Sequence, residues 1–81
     1  MVKVAFCEST HRHYTDTGVL RGTVDNRDTG VFQINTHYWL DRSIELEHDI
    51  FTLEGNIAMA RYIYDKYGTR PWYPSEPCWN A

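Results

Sequence analysis

The only two cysteines of this 81-residue chain, Cys7 and Cys78, lie near its opposite ends. A disulfide between them would enclose almost the whole sequence, and the chain-entropy model assigns so long a loop roughly 4 kcal/mol of stabilisation. That is a large share of the stability of a small domain. We therefore expect a Cys7–Cys78 disulfide and an oxidising compartment, with two unconnected buried thiols as the alternative. The C-x-x-C spacing of a zinc site is absent.

Length and charge limit the domain organisation and the partners. A chain of 81 residues, 42% of them hydrophobic, can bury one small core, so we expect a single domain over residues 1–81 and a monomer. Eight basic and eleven acidic residues give a net charge of −3 with the signs interspersed, which argues against a nucleic-acid partner. No segment approaches the roughly 20 apolar residues of a membrane helix, and Met1–Lys3 is too short for a secretory signal.

The N-terminal segment has the spacing of a short helix. Helical intervals of three and four relate Val2, Ala5, Phe6 and Ser9, which predicts a helix over residues 2–12. Glu8 then lies toward the C-terminal end of this helix.

A hairpin is predicted next. Residues 15–18 have the Asp/Gly chemistry of a turn, and residues 19–24 are expected to form a strand. A polar turn at 25–28 precedes residues 30–35, where apolar and polar side chains alternate as in a half-buried strand. The two runs should pair.

The second half of the chain predicts two helices and an irregular tail. Helical spacing begins at Thr36 and fades near residues 47–49. For the third helix, Thr52 is the expected N-cap and Gly68 the expected stop, with an apolar face formed by Ile57, Ala60, Ile63, Tyr64 and Tyr67. Residues 70–79 contain three prolines and two tryptophans, so we expect a segment that is packed by its aromatic rings and not helical throughout. The fold class is α+β.

Two carboxyl side chains are candidates for glycosidic chemistry, which needs a protonated acid and an ionised or nucleophilic partner. Glu8 ends a largely apolar segment, where burial raises a carboxyl pKa and preserves its proton. Asp28 stands in a polar turn and should remain ionised. Asp25 is the alternative second carboxylate, and the alternative interpretation of Asp28 is an ordinary turn residue.

Several motifs resemble the lysozyme and lytic transglycosylase superfamily over residues 5–79. Cys-Glu-Ser at 7–9 is followed by Asp-Thr-Gly-Val-Phe-Gln-Ile-Asn at 28–35 and by Tyr-Trp at 38–39, as in animal-type lysozymes. Residues 54–61 resemble the family's next helix, and Trp72 stands where the family's active-site tryptophan covers the acid. The resemblance implies a lysozyme-like fold, with short helices around a small antiparallel hairpin sheet.

The resemblance also implies roles for these residues. Glu8 corresponds to the general acid and Asp28 to the carboxylate that stabilises or captures the glycosyl cation, while Ser9 is a candidate for orienting Glu8. Five further residues are the expected substrate contacts: Gln33, Asn35, Tyr38, Trp39 and Trp72. No cofactor is implied, and the four histidines have no carboxylate or cysteine spacing that predicts a metal site.

The function implied is hydrolysis of the bond between N-acetylmuramic acid and N-acetylglucosamine in peptidoglycan, outside the cytoplasm. Two alternatives stay open. One is a lytic transglycosylase, in which the muramic acid C6 hydroxyl attacks and forms a 1,6-anhydro end. The other is a glycan-binding module without turnover, which would follow if the shortened groove left Glu8 solvated and ionised. The chain is shorter than typical members of the superfamily.

Overall fold

The computed structural model describes residues 1–81 and confirms a mixed α+β chain. Two small antiparallel hairpins lie between the first helix and the later ones. The elements in order are α1 (Val2–Ser9), β1 (Tyr14–Thr15), β2 (Gly18–Val19), β3 (Asp28–Thr29), β4 (Ile34–Asn35), α2 (Thr36–Glu45), α3 (Leu53–Tyr67), a 3₁₀ helix (Arg70–Ser75) and α4 (Glu76–Trp79).

Helix α1 is shorter than predicted and buries a different face. It ends at Ser9 because Thr10 is left-handed, with φ 54°, and its backbone N–H donates to the Phe6 carbonyl oxygen. Both Val2 and Phe6 of the predicted face are exposed. The buried residues are Val4, Ala5 and Ser9. The buried face of α1 therefore includes the adjacent residues Val4 and Ala5, and the spacing pattern did not identify Val4.

The predicted strand at residues 19–24 is wrong. Strands β1 and β2 instead form a tight hairpin, in which Tyr14 pairs with Val19 and Thr15 with Gly18. Beyond Val19 only Arg21 makes a ladder contact, a single antiparallel bridge to Thr29. The valine that ends the predicted strand, Val24, is fully exposed, so this run has no buried face to fix a strand.

The predicted strand at residues 30–35 is also wrong over most of its length. Strands β3 and β4 do pair as a hairpin, but the four residues between them form its turn. Gly30 and Gln33 have positive φ of 75° and 50°, and the Gln33 N–H donates to the Gly30 carbonyl oxygen at 3.0 Å. Gly30, Val31 and Phe32 are all buried, so the apparent alternation reflects a buried turn.

Helices α2 and α3 agree with the prediction because both carry local caps. The Asn35 side chain accepts from the His37 N–H at the start of α2, and the Thr52 hydroxyl accepts from the Gly55 N–H at the start of α3. Gly68, with φ 65°, ends α3 as expected.

The buried face of α3 differs in part from the predicted one. Ala60 and Ile63 are buried as expected, whereas Ile57, Tyr64 and Tyr67 are exposed. The remaining buried positions of this helix are Asn56 and Met59.

The C-terminal segment is helical, contrary to prediction. Pro71 and Pro77 occupy early positions of the 3₁₀ helix and α4, where their missing N–H has no helical partner to lose, and Pro74 lies inside the 3₁₀ helix. The Cys7–Cys78 disulfide is confirmed, with 5.9 Å between the Cα atoms. It holds α4 against α1, so both ends of the chain form one wall of the molecule.

One hydrophobic core joins these elements, and every buried side-chain nitrogen or oxygen atom has a hydrogen-bond partner. Its ten members are Val4, Ala5, Val31, Phe32, Ile34, Ile50, Met59, Ala60, Ile63 and Trp72. None of the helices has both the length and the apolar composition needed to cross a membrane.

Candidate active site

An open groove of about 630 Å³ is formed by the end of α1, the β3–β4 hairpin, α2, α3 and the 3₁₀ helix. It brings together the predicted acids and the predicted substrate contacts. The groove is lined by Glu8, Asp28, Gln33, Ile34, Asn35, Tyr38, Trp39, Ile63, Tyr67, Arg70, Pro71, Trp72 and Pro74.

Glu8 enters the groove from the last turn of α1 and is half-buried. Burial raises the pKa of its carboxyl, because desolvation disfavours the charged form. The nearby Ser75 hydroxyl lowers the Glu8 pKa, and the negative charge of Asp28 adds a smaller increase. The balance keeps the proton on Glu8 at a higher pH than on a solvated glutamate.

Ser9 anchors the end of α1. Its hydroxyl lies 2.8 Å from the Val31 carbonyl oxygen and 3.0 Å from that of Ala5. This hydroxyl bonds to backbone carbonyls and not to Glu8, so Ser9 has no side-chain hydrogen bond through which it would orient Glu8. Ser9 fixes α1 on the hairpin turn, whereas the side-chain hydroxyl that bears on the Glu8 pKa belongs to Ser75.

Asp28 faces the same groove from the start of the hairpin. Its register partner across the ladder is Asn35, whose amide nitrogen donates to an Asp28 carboxylate oxygen at 2.9 Å. The carboxylate is thereby fixed in orientation by the strand pairing.

Asp25, the alternative partner, is absent from the groove lining. Arg27 donates to its carboxylate through the guanidinium and the backbone N–H, and Asn35 adds a further bond at 3.1 Å. These bonds hold the pKa of Asp25 far below its usual range. Asp28 is accordingly the carboxylate that this groove brings together with Glu8.

Gln33 and Asn35 lie in the groove with their amide nitrogens already bonded. The side-chain nitrogen of Asn35 donates to the carboxylates of both Asp25 and Asp28, and its side-chain oxygen accepts from the first turn of α2. The Gln33 amide nitrogen donates to the Gly30 carbonyl oxygen at 3.0 Å. The role of Gln33 and Asn35 as substrate contacts stays a prediction. The hydrogen bond from Asn35 to Asp28 shows that Asn35 holds the Asp28 carboxylate in place.

The predicted aromatic residues also line the groove. Tyr38 is 71% exposed at its rim, and Trp39 is half-buried with its ring 5.7 Å from that of Tyr67. Trp72 is only 4% exposed, and its indole N–H donates to the Phe32 carbonyl oxygen at 2.9 Å. An exposed flat ring such as that of Tyr38 can cover the apolar C–H face of a sugar, whereas Trp72 belongs to the buried core.

Sequence reasoning missed four groove residues or supports. Tyr67 was predicted to pack in the core, yet it is 52% exposed and pairs with Trp39. Arg70 and Pro71 belong to a segment predicted to be irregular, and no pattern indicated that Ser75 approaches Glu8. The turn chemistry of Gly68 was the one available signal, because it directs the chain back toward the groove immediately after Tyr67.

No three His, Cys, Asp or Glu side chains come together as metal ligands would. Comparisons with known proteins found no matching family, no matching curated protein and no matching solved structure.

Proposed function

We propose that this protein is a lysozyme-type glycosidase that hydrolyses the bond between N-acetylmuramic acid and N-acetylglucosamine in peptidoglycan. The observation that carries the proposal is a carboxyl whose pKa is raised by burial, in the same groove as a second carboxylate held by a hydrogen bond. Glycosidases require such an unlike pair. The lysozyme-like fold is part of the proposal and is supported by the order of an acid-bearing helix, a hairpin and two further helices.

The mechanism follows from the two carboxyl environments and is transferred from lysozyme. Glu8 protonates the leaving glycosidic oxygen, and desolvation helps it to keep the proton that it transfers. Asp28 stabilises or captures the positively charged sugar that develops. Glu8, now ionised, then removes a proton from the attacking water and returns to its starting state.

The rest of the groove suits a glycan polymer. It is open along the surface, and its lining combines aromatic rings with amides and carboxylates, as in sites that bind sugars through C–H faces and hydroxyls. The disulfide is compatible with a place outside the cytoplasm, where peptidoglycan is found.

Product analysis of digested peptidoglycan tests the reaction. Hydrolysis should release reducing ends, whereas 1,6-anhydro products, lighter by one water, would overturn the hydrolase assignment in favour of a transglycosylase. Glu8→Gln keeps the shape of the side chain and removes the acid, so we expect the cleavage rate to fall by about 10²–10⁴-fold. Cleavage at the parent rate would contradict the mechanism.

Glu54→Gln is the matched control. Glu54 is an exposed glutamate in the first turn of α3, outside the groove, so this variant should cleave like the parent. Binding of glycan by the parent and by Glu8→Gln, with cleavage by neither, would select a binding module.

A further inference from the structure

One basic side chain lines the groove, and it has no ionic partner. Among the thirteen lining residues Arg70 is the only lysine or arginine. The two ion pairs of the protein are Arg27–Asp25 and Arg42–Glu45, so the Arg70 guanidinium is not neutralised by a neighbouring acid. Its five N–H donors are left for solvent or for a ligand.

Arg70 and Ser75 lie at opposite ends of one helix. Arg70 begins the 3₁₀ helix that ends at Ser75, the residue whose hydroxyl bears on Glu8. At about 2.0 Å per residue, the five steps between Arg70 and Ser75 cover about 10 Å along the helix axis. The backbone of Arg70 is therefore separated from that of Ser75 by the length of this helix, and the exposed Tyr67 ring lines the same groove as Arg70.

An unpaired guanidinium at this position suits a carboxylate. Arginine presents a planar fork that matches a carboxylate through two parallel hydrogen bonds, and the Asp28 carboxylate in the same groove would repel a randomly placed anion. A neutral glycan offers no group that needs the charge. A peptidoglycan strand offers carboxylates of two kinds, on the lactyl group of muramic acid and on the stem peptide.

We propose that Arg70 is a specificity-determining residue that binds a carboxylate of the glycan substrate next to the sugars at the cleavage point. The inference rests on the proposed function, because it takes the groove to be a glycan site. Arg70 selects acidic glycan strands over neutral ones and takes no part in bond breaking.

Binding measurements in the Glu8→Gln background test this inference separately from catalysis. Three soluble oligomers serve as probes: a neutral oligomer of N-acetylglucosamine, an alternating N-acetylglucosamine and N-acetylmuramic acid oligomer with free lactyl carboxylates, and the same oligomer carrying stem peptides. We expect at least one acidic oligomer to bind roughly fivefold more tightly than the neutral one at low salt. The preferred acidic oligomer identifies which carboxylate is read.

Adding Arg70→Ala should abolish that preference while leaving the affinity for the neutral oligomer unchanged. Arg70→Lys should retain part of it, since the charge remains and the two-pronged geometry is lost. Arg61→Ala is the control for net charge, because Arg61 is an exposed arginine on α3 outside the groove.

Three results would overturn the inference. The first is that the Glu8→Gln protein binds all three oligomers with equal affinity. The second is that Arg70→Ala lowers the affinity for neutral and acidic oligomers by the same factor. The third is that Arg61→Ala lowers the affinity for the acidic oligomers as much as Arg70→Ala does. By contrast, failure to bind any oligomer would contradict the proposed function itself.

Discussion

Replacing Asn56 by Asp exchanges the amide NH₂ group for an oxygen atom. Asn56 is fully buried, and its side chain holds the β3–β4 hairpin in place. The Asn56 amide nitrogen donates to the carbonyl oxygens of Thr29 and Ile50, both at 2.9 Å, and its oxygen accepts from the Phe32 N–H at 3.0 Å. The aspartate would turn an oxygen toward two carbonyl oxygens. Two buried acceptors then lose their donors, at about 1–3 kcal/mol each, so we expect a loss of about 4 kcal/mol at neutral pH.

This loss should depend on pH. A protonated aspartate can donate to one of the two carbonyls, so the native state favours the proton and its pKa lies above the unfolded value of about 3.9. Because the native state binds more protons than the unfolded state in this range, stability falls as pH rises. At pH about 4 the loss should shrink to about 2 kcal/mol.

Urea unfolding of parent and variant near pH 7 and pH 4, with the disulfide intact, measures both values. A loss of about 4 kcal/mol is severe, because an 81-residue domain has a total stability of about 4–12 kcal/mol. Asn26→Asp, at an exposed turn position, is the control and should change little at either pH. The reasoning is refuted if Asn56→Asp costs the same at both pH values or no more than the control.

Three further changes probe the same structure. Gly30→Ala should destabilise by about 3 kcal/mol, because Gly30 has φ 75° and an added Cβ would lie 2.5 Å from Asn56; a melting temperature equal to the parent's would refute this. Trp72→Phe leaves the Phe32 carbonyl oxygen without its donor and should cost about 1–3 kcal/mol in urea unfolding, and no loss would contradict the indole hydrogen bond. Reducing the disulfide should remove about 4 kcal/mol, and an unchanged melting temperature would argue against its structural role.

The elements that the sequence predicted well are those whose signals are local. Helices α2 and α3 carry their caps within four residues of their ends, so Thr52 and Gly68 bound α3 whatever else surrounds it. The hairpin depended on distant residues. Its turn is buried because Asn56 and His13 bond to Phe32 and Val31 across 24 and 18 positions of the chain.

The candidate site, like the fold, could be predicted from the sequence only in part. Glu8, Asp28 and Trp72 were identified from motif and residue chemistry, and the structure brings them to one groove. Ser75 and Arg70 were not, because their positions depend on the C-terminal segment folding back along α1. Only tertiary structure reveals that reversal.

The titration of the Glu8 carboxyl, followed by ¹³C NMR in the free protein, tests the central claim most directly. We predict that the Glu8 midpoint lies above that of a glutamate in an unstructured peptide, and that Asp28→Asn lowers this midpoint modestly. The kcat/KM profile on peptidoglycan should have its basic limb at the same pH as the Glu8 midpoint. A Glu8 midpoint at or below the peptide value would contradict the account, because the acid would then be ionised whenever a glycan strand is bound.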